Sequence, residues 1–377
     1  MNGVNNTGEP IRVLNVFASL DRGGSLSMCM NYYRHLNRSK VQFDFVTHSV
    51  PLSDVKDEII SLGGRVFVAP RYCAYNHASY LKWWSRHLQA HPEHTIIHGH
   101  YYTIAFAYAP VAKHYGRCRI VHSHNVRAGK AEGLGKRIEL GIVRRLTARN
   151  SDVRFACSDA AGRWLFPRAD YRVVHNAIEI DRFRYDSDVR KRVRKNLAID
   201  DRCKLMLVVG NLSRQKNPSG VVSICQALVR RSNRWRLIWC GGGSLNQELE
   251  QTLKSEGLLD YCSLTGVRSD IDRLLQAADV FVMPSLHEGL SVAAVEAQAA
   301  GLPCLLADTL DRAHDIVGLC TFLPLGEWDM WADAILSDCT LREDTAAKIR
   351  AAGYDVALEA SILERTYVEI AGEYCRF

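Results

Sequence analysis

Eleven short apolar runs, each followed by a helical or loop pattern, limit what this chain can fold into. IRVLNVF, VQFDFVTH, GRVFVAP, TIIHGH, CRIVHSH and DVRFACS come first; after a polar, charge-dense stretch from Asp181 to Asp201, KLMLVVGN, WRLIWCGGG, CSLTGV, DVFVMPS and LPCLLAD restart the pattern. Strands that are continuously apolar need cover on both faces, which implies parallel sheets flanked by helices. Two series imply two doubly wound α/β domains, with ligands at the carboxyl ends of strands and in the cleft between. The last segment, ILERTYVEIAGEYCRF, reads as a separate amphipathic helix able to pack against either domain.

The length of 377 residues suits two domains, each with its own core. A hydrophobic content of 47% with 24% charge is that of a soluble globular protein. The N-terminal stretch lacks a charged leader, and its apolar run is too short to span a bilayer. The twelve cysteines are scattered without a CxxC pair, which argues against zinc ribbons and disulfide frameworks and for a reducing, cytoplasmic setting. The net charge of +7 is uneven: Lys113 to Arg172 carries fourteen Lys/Arg against five Asp/Glu. Within it, KRIELGIVRRLTARN places Ile138, Ile142 and Leu146, with Leu140 and Val143, at helical spacing among arginines. The expectation is a core-packed helix with a solvated basic face; the alternative is a peripheral contact with anionic lipid headgroups. No nucleic-acid module accompanies the charge, so nucleic acid is not expected as a partner.

Several strand ends carry ligand chemistry. After the first strand, SLDRGGSLSMCMNYY has paired glycines, Gly23 and Gly24, before a helix start that can face phosphate. VVGNLSRQKNP puts Arg214 and Lys216 at a strand's carboxyl end, where two cations would neutralise a diphosphate. Gly241 to Gly243 mark a turn, and Gly266, Val267 and Arg268 end another strand where backbone groups can meet a base. PSLHEGLSVAAVEAQAAGLPCL sets Glu288 in a loop and Glu296 inside a helix that Ser291 can cap and Gly301 and Pro303 end. Carboxylates are repelled by phosphate, so these two belong on hydroxyls, a ribose diol being a fitting partner. His98 with His100, and His122 with His124, each share one face of a strand end at metal-ligand spacing, yet no Cys or carboxylate completes a set, so no metal is expected. His124, followed by the glycine-rich VRAGKAEGLGK, is the best placed as a single polar group at the cleft.

DRGGSLSMCMNYYRHL, FACSDAAGRWLF, VVHNAIEIDRF, VGNLSRQKN, TGVRSDI and LLQAADVFVMPSLHEGLSVAAVEAQAAGLP together resemble the retaining, nucleotide-sugar-dependent glycosyltransferases of family 4, in their bacterial exo- or capsular polysaccharide branch. The last segment matches that family's motif of two glutamates separated by seven residues. The resemblance runs from about Ile11 to the C-terminus. It implies the GT-B fold: two Rossmann-like doubly wound domains with a cleft between them, 1–180 on the acceptor side and 181–357 on the donor side, and a crossover helix, 358–377, returning to the N-domain.

The resemblance also implies roles. Gly23 and Gly24 would approach the donor phosphates, Lys216 the diphosphate, and Val267 and Arg268 the base; Glu296 would hold the ribose and Glu288 the transferred sugar. The amides around Gly289, Leu290 and Ser291 would face phosphate, and His124 would contact the donor sugar. Asn211 stands where the family commonly has Arg, and Arg214 is expected to supply that charge; Asn125 stands where Asp often follows the histidine.

The implied activity is hexosyl transfer from a nucleotide diphosphate sugar to a hydroxyl of a lipid-linked saccharide, with retention, in cell-surface polysaccharide biosynthesis. It needs no metal or other cofactor, because cations at the leaving diphosphate do the work of Mg²⁺. The catalytic group is then His124, Glu288, Lys216 and Arg214. The enzyme is expected in the cytoplasm, peripheral at the inner membrane face. The alternatives are a GT-B-fold nucleotide-sugar epimerase and a non-catalytic nucleotide-sugar-binding module.

Overall fold

The computed structural model describes residues 9–21, 23–126, 134–337 and 342–374. Residues 127–133, which hold most of the glycine-rich loop after His124, lie outside the described residues. The chain forms two compact units, one from the described residues up to Val126, from Leu134 to Ala177 and from Val356 on, the other from Ile178 to Asp355.

The first unit is built on seven strands, β1 (Ile11–Val16), β2 (Val41–Thr47), β3 (Val66–Val68), β4 (His94–Gly99), β5 (Cys118–Ser123), β6 (Val153–Ala156) and β7 (Arg172–Val173). They pair in parallel in the order β3-β2-β1-β4-β5-β6-β7. The second unit has six, β8 (Lys204–Val209), β9 (Trp235–Cys240), β10 (Cys262–Leu264), β11 (Val280–Met283), β12 (Cys304–Ala307) and β13 (Cys320–Leu323). These are also parallel, in the order β10-β9-β8-β11-β12-β13.

All eleven apolar runs became strands. The two strands without such a run, β7 and β13, sit at sheet edges; β7 is two exposed residues, and of β13 only Leu323 is buried. Neither buries enough apolar surface to need a continuous run.

β2 shows what burial on both faces demands, because every one of its residues is inaccessible. Its apolar side chains are each stabilised by roughly 1.5–3 kcal/mol by leaving water, but Asp44 must be paired there. Arg12 grips it through Nε and Nη2 at 2.8 Å each, Arg65 through Nη2 at 2.7 Å, and His94 Nε2 lies 2.8 Å away. Burial works against the charge, but the hydrogen bonds from His94, Arg12 and Arg65 outweigh it and hold the carboxyl well below the usual range.

In both sheets the strand order reverses beside the first strand, between β1 and β4 and between β8 and β11. Helices leave the two strands of such a pair toward opposite faces, which opens a crevice at their carboxyl ends.

The closing helix, Val356–Tyr374, packs within the first unit. Tyr367 is buried with its hydroxyl 2.7 Å from His98 Nδ1, and Glu364 accepts from Lys40 Nζ at 2.9 Å. The basic helix, Leu134–Arg149, departs from the expected core packing. Ile138, Ile142 and Leu146 are 55%, 53% and 38% exposed, while Leu140 and Val143 are half-buried and Thr147 is buried. The helix therefore rests on its other face and turns the isoleucine stripe outward, alongside exposed Arg137, Arg145 and Arg149.

Candidate functional site

At the first unit's switch point, Gly23 caps the Gly24–His35 helix with extended backbone and no side-chain hydrogen bond. A Cβ built on Gly24 would meet no atom of another described residue within 4 Å beyond its chain neighbours and its own helix backbone, so the helix start is open among the described residues. Beside it, β1 contributes Asn15, and the residues just past β4 and β5 contribute His100 and His124. His100 Nδ1 lies 2.8 Å from His124 Nε2, and His100 Nε2 lies 3.1 Å from Asn15 Oδ1. Burial pushes His124 down to about 3 and His100 well below the ordinary histidine range, so both rings are neutral at physiological pH.

His98, His100 and His122 also offer one ring nitrogen each within 4.8 Å of the others. Their rings, however, are arranged face to face: His98 stacks on His122 with centroids 5.4 Å apart and planes 7° apart, and on His100 at 4.2 Å. A ring nitrogen's lone pair lies in the ring plane, so parallel stacked rings do not aim lone pairs at one point. These rotamers bring together the faces of the rings.

The second unit's switch point is more densely constrained. Gly210 directly follows β8 with φ +148°, and a Cβ there would fall 2.4 Å from Lys216 Cε, so glycine lets the lysine lie across the strand end. Arg214–Lys216 form a single 3₁₀ turn closed by Asn217 in the left-handed region at φ 54°. The Asn217 side chain holds this turn from two sides, accepting from the Gly220 amide at 3.1 Å and donating to the Pro284 carbonyl at 3.1 Å. Gln215 adds two more ties, its Nε2 donating to the His287 carbonyl at 2.9 Å and its carbonyl accepting from Leu286 N at 2.8 Å. The loops after β8 and β11 are thus stitched together, and Lys216 Nζ meets Glu288 Oε1 at 2.8 Å with both side chains largely buried. The contact has ion-pair distance and sets the lysine charge against the carboxylate.

Glu296 sits inside the following helix, Val292–Ala299. Burial pushes its carboxyl up to about 8, more than the nearby Arg182 charge can offset. The helix start is less open than its sequence suggests. The Ser291 amide donates to His314 Nε2 at 3.3 Å, and His314 Nδ1 is 2.9 Å from the Asp311 carbonyl, which fixes that ring with Nδ1 protonated. Gly289 and Leu290 are buried beside it. Nothing in the sequence near residue 291 signals His314, which arrives from beyond β12.

The remaining expected residues divide. Gly241 also adopts φ +148°, and a Cβ there would lie 2.1 Å from the Gly210 carbonyl oxygen; its amide bonds Gly266. This brings the turn after β9 against the one after β10, where Val267 is 53% exposed. Arg268 is committed to Asp270 by two hydrogen bonds at 2.8 and 2.6 Å. Asn211 and Arg214 are exposed, and Arg214 makes no ion pair with a described residue. The structure therefore brings Lys216 and Glu288 together and leaves Arg214 outside their contact.

Two family models match the chain, Glycosyltransferase Family 4 over residues 22–182 and Glycosyl transferases group 1 over residues 189–354. EpsF of Bacillus subtilis (strain 168), a protein named as a glycosyltransferase, is 31% identical over 94% of this chain and 96% of its own length. A UDP-Gal:alpha-D-GlcNAc-diphosphoundecaprenol alpha-1,3-galactosyltransferase of Escherichia coli is 30% identical over 36% of each chain. Among solved structures, HepE of Anabaena, determined with UDP and glucose, superposes with a TM-score of 0.77 at 18% identity, covering 95% of this chain and all of that one.

Proposed function

This chain belongs to glycosyltransferase family 4, and on that premise we propose that it transfers a sugar from a nucleotide diphosphate sugar to a hydroxyl of a lipid-linked saccharide, with retention of configuration. The observation that carries the reading is the contact of Lys216 with Glu288 at the second unit's switch point, 2.8 Å apart at the end of a loop tied by Gln215 and Asn217. A cation held there neutralises the charge that builds on a departing diphosphate, and it is preorganised before the donor arrives. Glu288 then takes hydroxyls of the sugar in motion, and Glu296, four residues into its helix, takes the ribose diol. The first unit's His124 supplies a neutral ring to the donor sugar. Lys216 carries the leaving-group charge, and no metal takes part.

The acceptor reading draws on the E. coli relative, whose name specifies a diphosphoundecaprenol-linked substrate. The outward stripe of Ile138, Ile142 and Leu146 among arginines supports it, since a lipid-linked substrate is met at a membrane and this face combines apolar area with positive charge. No helix among the described residues is long and apolar enough to cross a membrane, so the contact is peripheral. The product belongs to cell-surface polysaccharide assembly.

The test begins with a thermal-shift screen of UDP, GDP, ADP and their sugars, because a true donor stabilises the fold by mass action, about 2.7 kcal/mol at 100 times Kd. Labelled donor is then offered with undecaprenyl-diphosphate saccharides. Label appearing on lipid supports the proposal; donor converted without acceptor indicates an epimerase, and binding without either indicates a non-catalytic module.

A further inference from the structure

Three residues on three neighbouring strand ends of the first unit form a hydrogen-bond chain whose direction can be worked out. Asn15 is fully buried in β1, and its Nδ2 faces the carbonyl oxygens of Val13 and Asp44 at 3.4 Å each. Carbonyls only accept, so the amide must present its nitrogen to them, and Oδ1 is then the atom that faces His100 Nε2 at 3.1 Å. An oxygen acceptor requires that His100 Nε2 carry the proton. In a neutral imidazole the other nitrogen is then bare, so His100 Nδ1 accepts from His124 Nε2 at 2.8 Å. His124 in turn holds its proton on Nε2 and exposes a lone pair at Nδ1. That Nδ1 is buried and has no hydrogen-bond partner among the described residues.

Ring packing keeps the chain from turning over. His100 stacks on Phe17, at 4.4 Å and 6°, and on His98, at 4.2 Å and 28°. His124 lies flat on His122 at 4.0 Å. A half-turn of the His100 ring would put carbons where its two nitrogens stand, losing both hydrogen bonds, and would pass through a break of both stacks.

We propose that Asn15 and His100 are positioning residues that fix His124 as its Nε2–H tautomer, so that Nδ1 accepts a hydrogen bond from a hydroxyl of the sugar being transferred. The second half of this statement rests on the glycosyltransferase reading above; the first half does not. With the opposite tautomer His124 would present an N–H to the sugar and two bare nitrogens would face each other across 2.8 Å.

The tautomer can be read directly. Full-length protein labelled with ¹⁵N in the histidine rings is observed by two-bond ¹H–¹⁵N correlation, and the His124 signal is assigned by its loss in His124→Gln. The expected result is a protonated Nε2 and a bare Nδ1 in wild type, a mixture of tautomers in Asn15→Leu and in His100→Phe, and restoration of the single tautomer in Asn15→Asp, which keeps the acceptor oxygen. A wild-type His124 protonated on Nδ1 overturns the proposal, and this measurement needs no variant beyond the one used for assignment. An unchanged single tautomer in both Asn15→Leu and His100→Phe overturns it as well. In transfer assays the same two variants are expected to lose about tenfold in kcat with little change in KM, the worth of one hydrogen bond. If the tautomer is as stated but His124→Gln transfers sugar at the wild-type rate, the positioning chain stands and the role of His124 toward the sugar is overturned.

Discussion

Lys216 and Glu288 lie 2.8 Å apart although 72 positions separate them. The left-handed Asn217 and the ties from Gln215 to His287 and Leu286 set the distance. Lys216→Ala is expected to lower kcat by about 10²–10³-fold, the cost of removing one preorganised group facing transition-state charge. Glu288→Gln should cost less, and the double variant should lose less than the two single effects combined, with a coupling of about 0.5–3 kcal/mol. Steady-state kinetics of all four proteins gives that coupling; strict additivity would mean the contact has no functional meaning.

Gly210 offers a way to move Lys216 without touching it. In Gly210→Ala the new methyl group falls 2.4 Å from Lys216 Cε, and the residue stays at a strained positive φ. Nucleotide-sugar affinity should drop about tenfold or more, while circular dichroism remains that of wild type; isothermal titration measures the first. An unchanged affinity would show that the lysine does not need its place over the strand end.

Glu296 gives a pH dependence with a definite sign. Its folded value of about 8 lies above the unfolded value of about 4.3, so the folded state holds the extra proton. The stability from this group is complete below the unfolded value and is lost as pH rises through about 8. Melting temperature should therefore fall from pH 6 to pH 9 more in wild type than in Glu296→Gln. A ribose diol donating to the carboxylate favours its charged form, so nucleotide binding near pH 7 should release a proton. Calorimetry in buffers of different ionisation enthalpy detects it.

Asp44 is a stability position. Asp44→Ala strands Arg12, Arg65 and His94 around a vacated buried charge and should cost about 3–5 kcal/mol in chemical denaturation. Its depressed carboxyl contributes stability above the unfolded value of about 3.9, lost only as pH falls through the lower folded value. The stability advantage of wild type over Asp44→Asn should thus be full near neutral pH and shrink as pH falls below about 4, which denaturation at a series of pH values measures.

The stripe on the Leu134–Arg149 helix is accessible, so Ile142→Glu should leave the fold intact and weaken co-sedimentation with anionic vesicles. Arg145→Gln with Arg149→Gln should weaken it by about tenfold or more at low salt, at about 1 kcal/mol per charge near the surface. Binding indifferent to salt and to these changes would remove the membrane contact.

The sheets were legible because burial on both faces writes itself as continuous apolar sequence, as in KLMLVVGN for β8. The strand-end residues were legible too, since Lys216, Glu288 and His124 follow recognisable runs. What stayed hidden depends on partners distant in sequence. Asn15 reads as an ordinary polar residue within IRVLNV until His100 is set beside it. His314 shows no sign of reaching the Ser291 amide 23 positions away. The stripe of Ile138, Ile142 and Leu146 has the same spacing whether it faces core or solvent, so sequence periodicity expected packing where the structure shows exposure.

The closing helix ties the order of synthesis to the order of folding. The first unit is missing Tyr367 and Glu364, the partners of His98 and Lys40, until the Val356–Tyr374 helix emerges, although most of it is translated first. Among the described residues the second unit is one uninterrupted stretch, Ile178–Asp355, and can complete itself while the earlier portion still waits. A premature stop near residue 355 would therefore harm the half of the protein made first, and nascent chains of that length would be the ones to recruit chaperones.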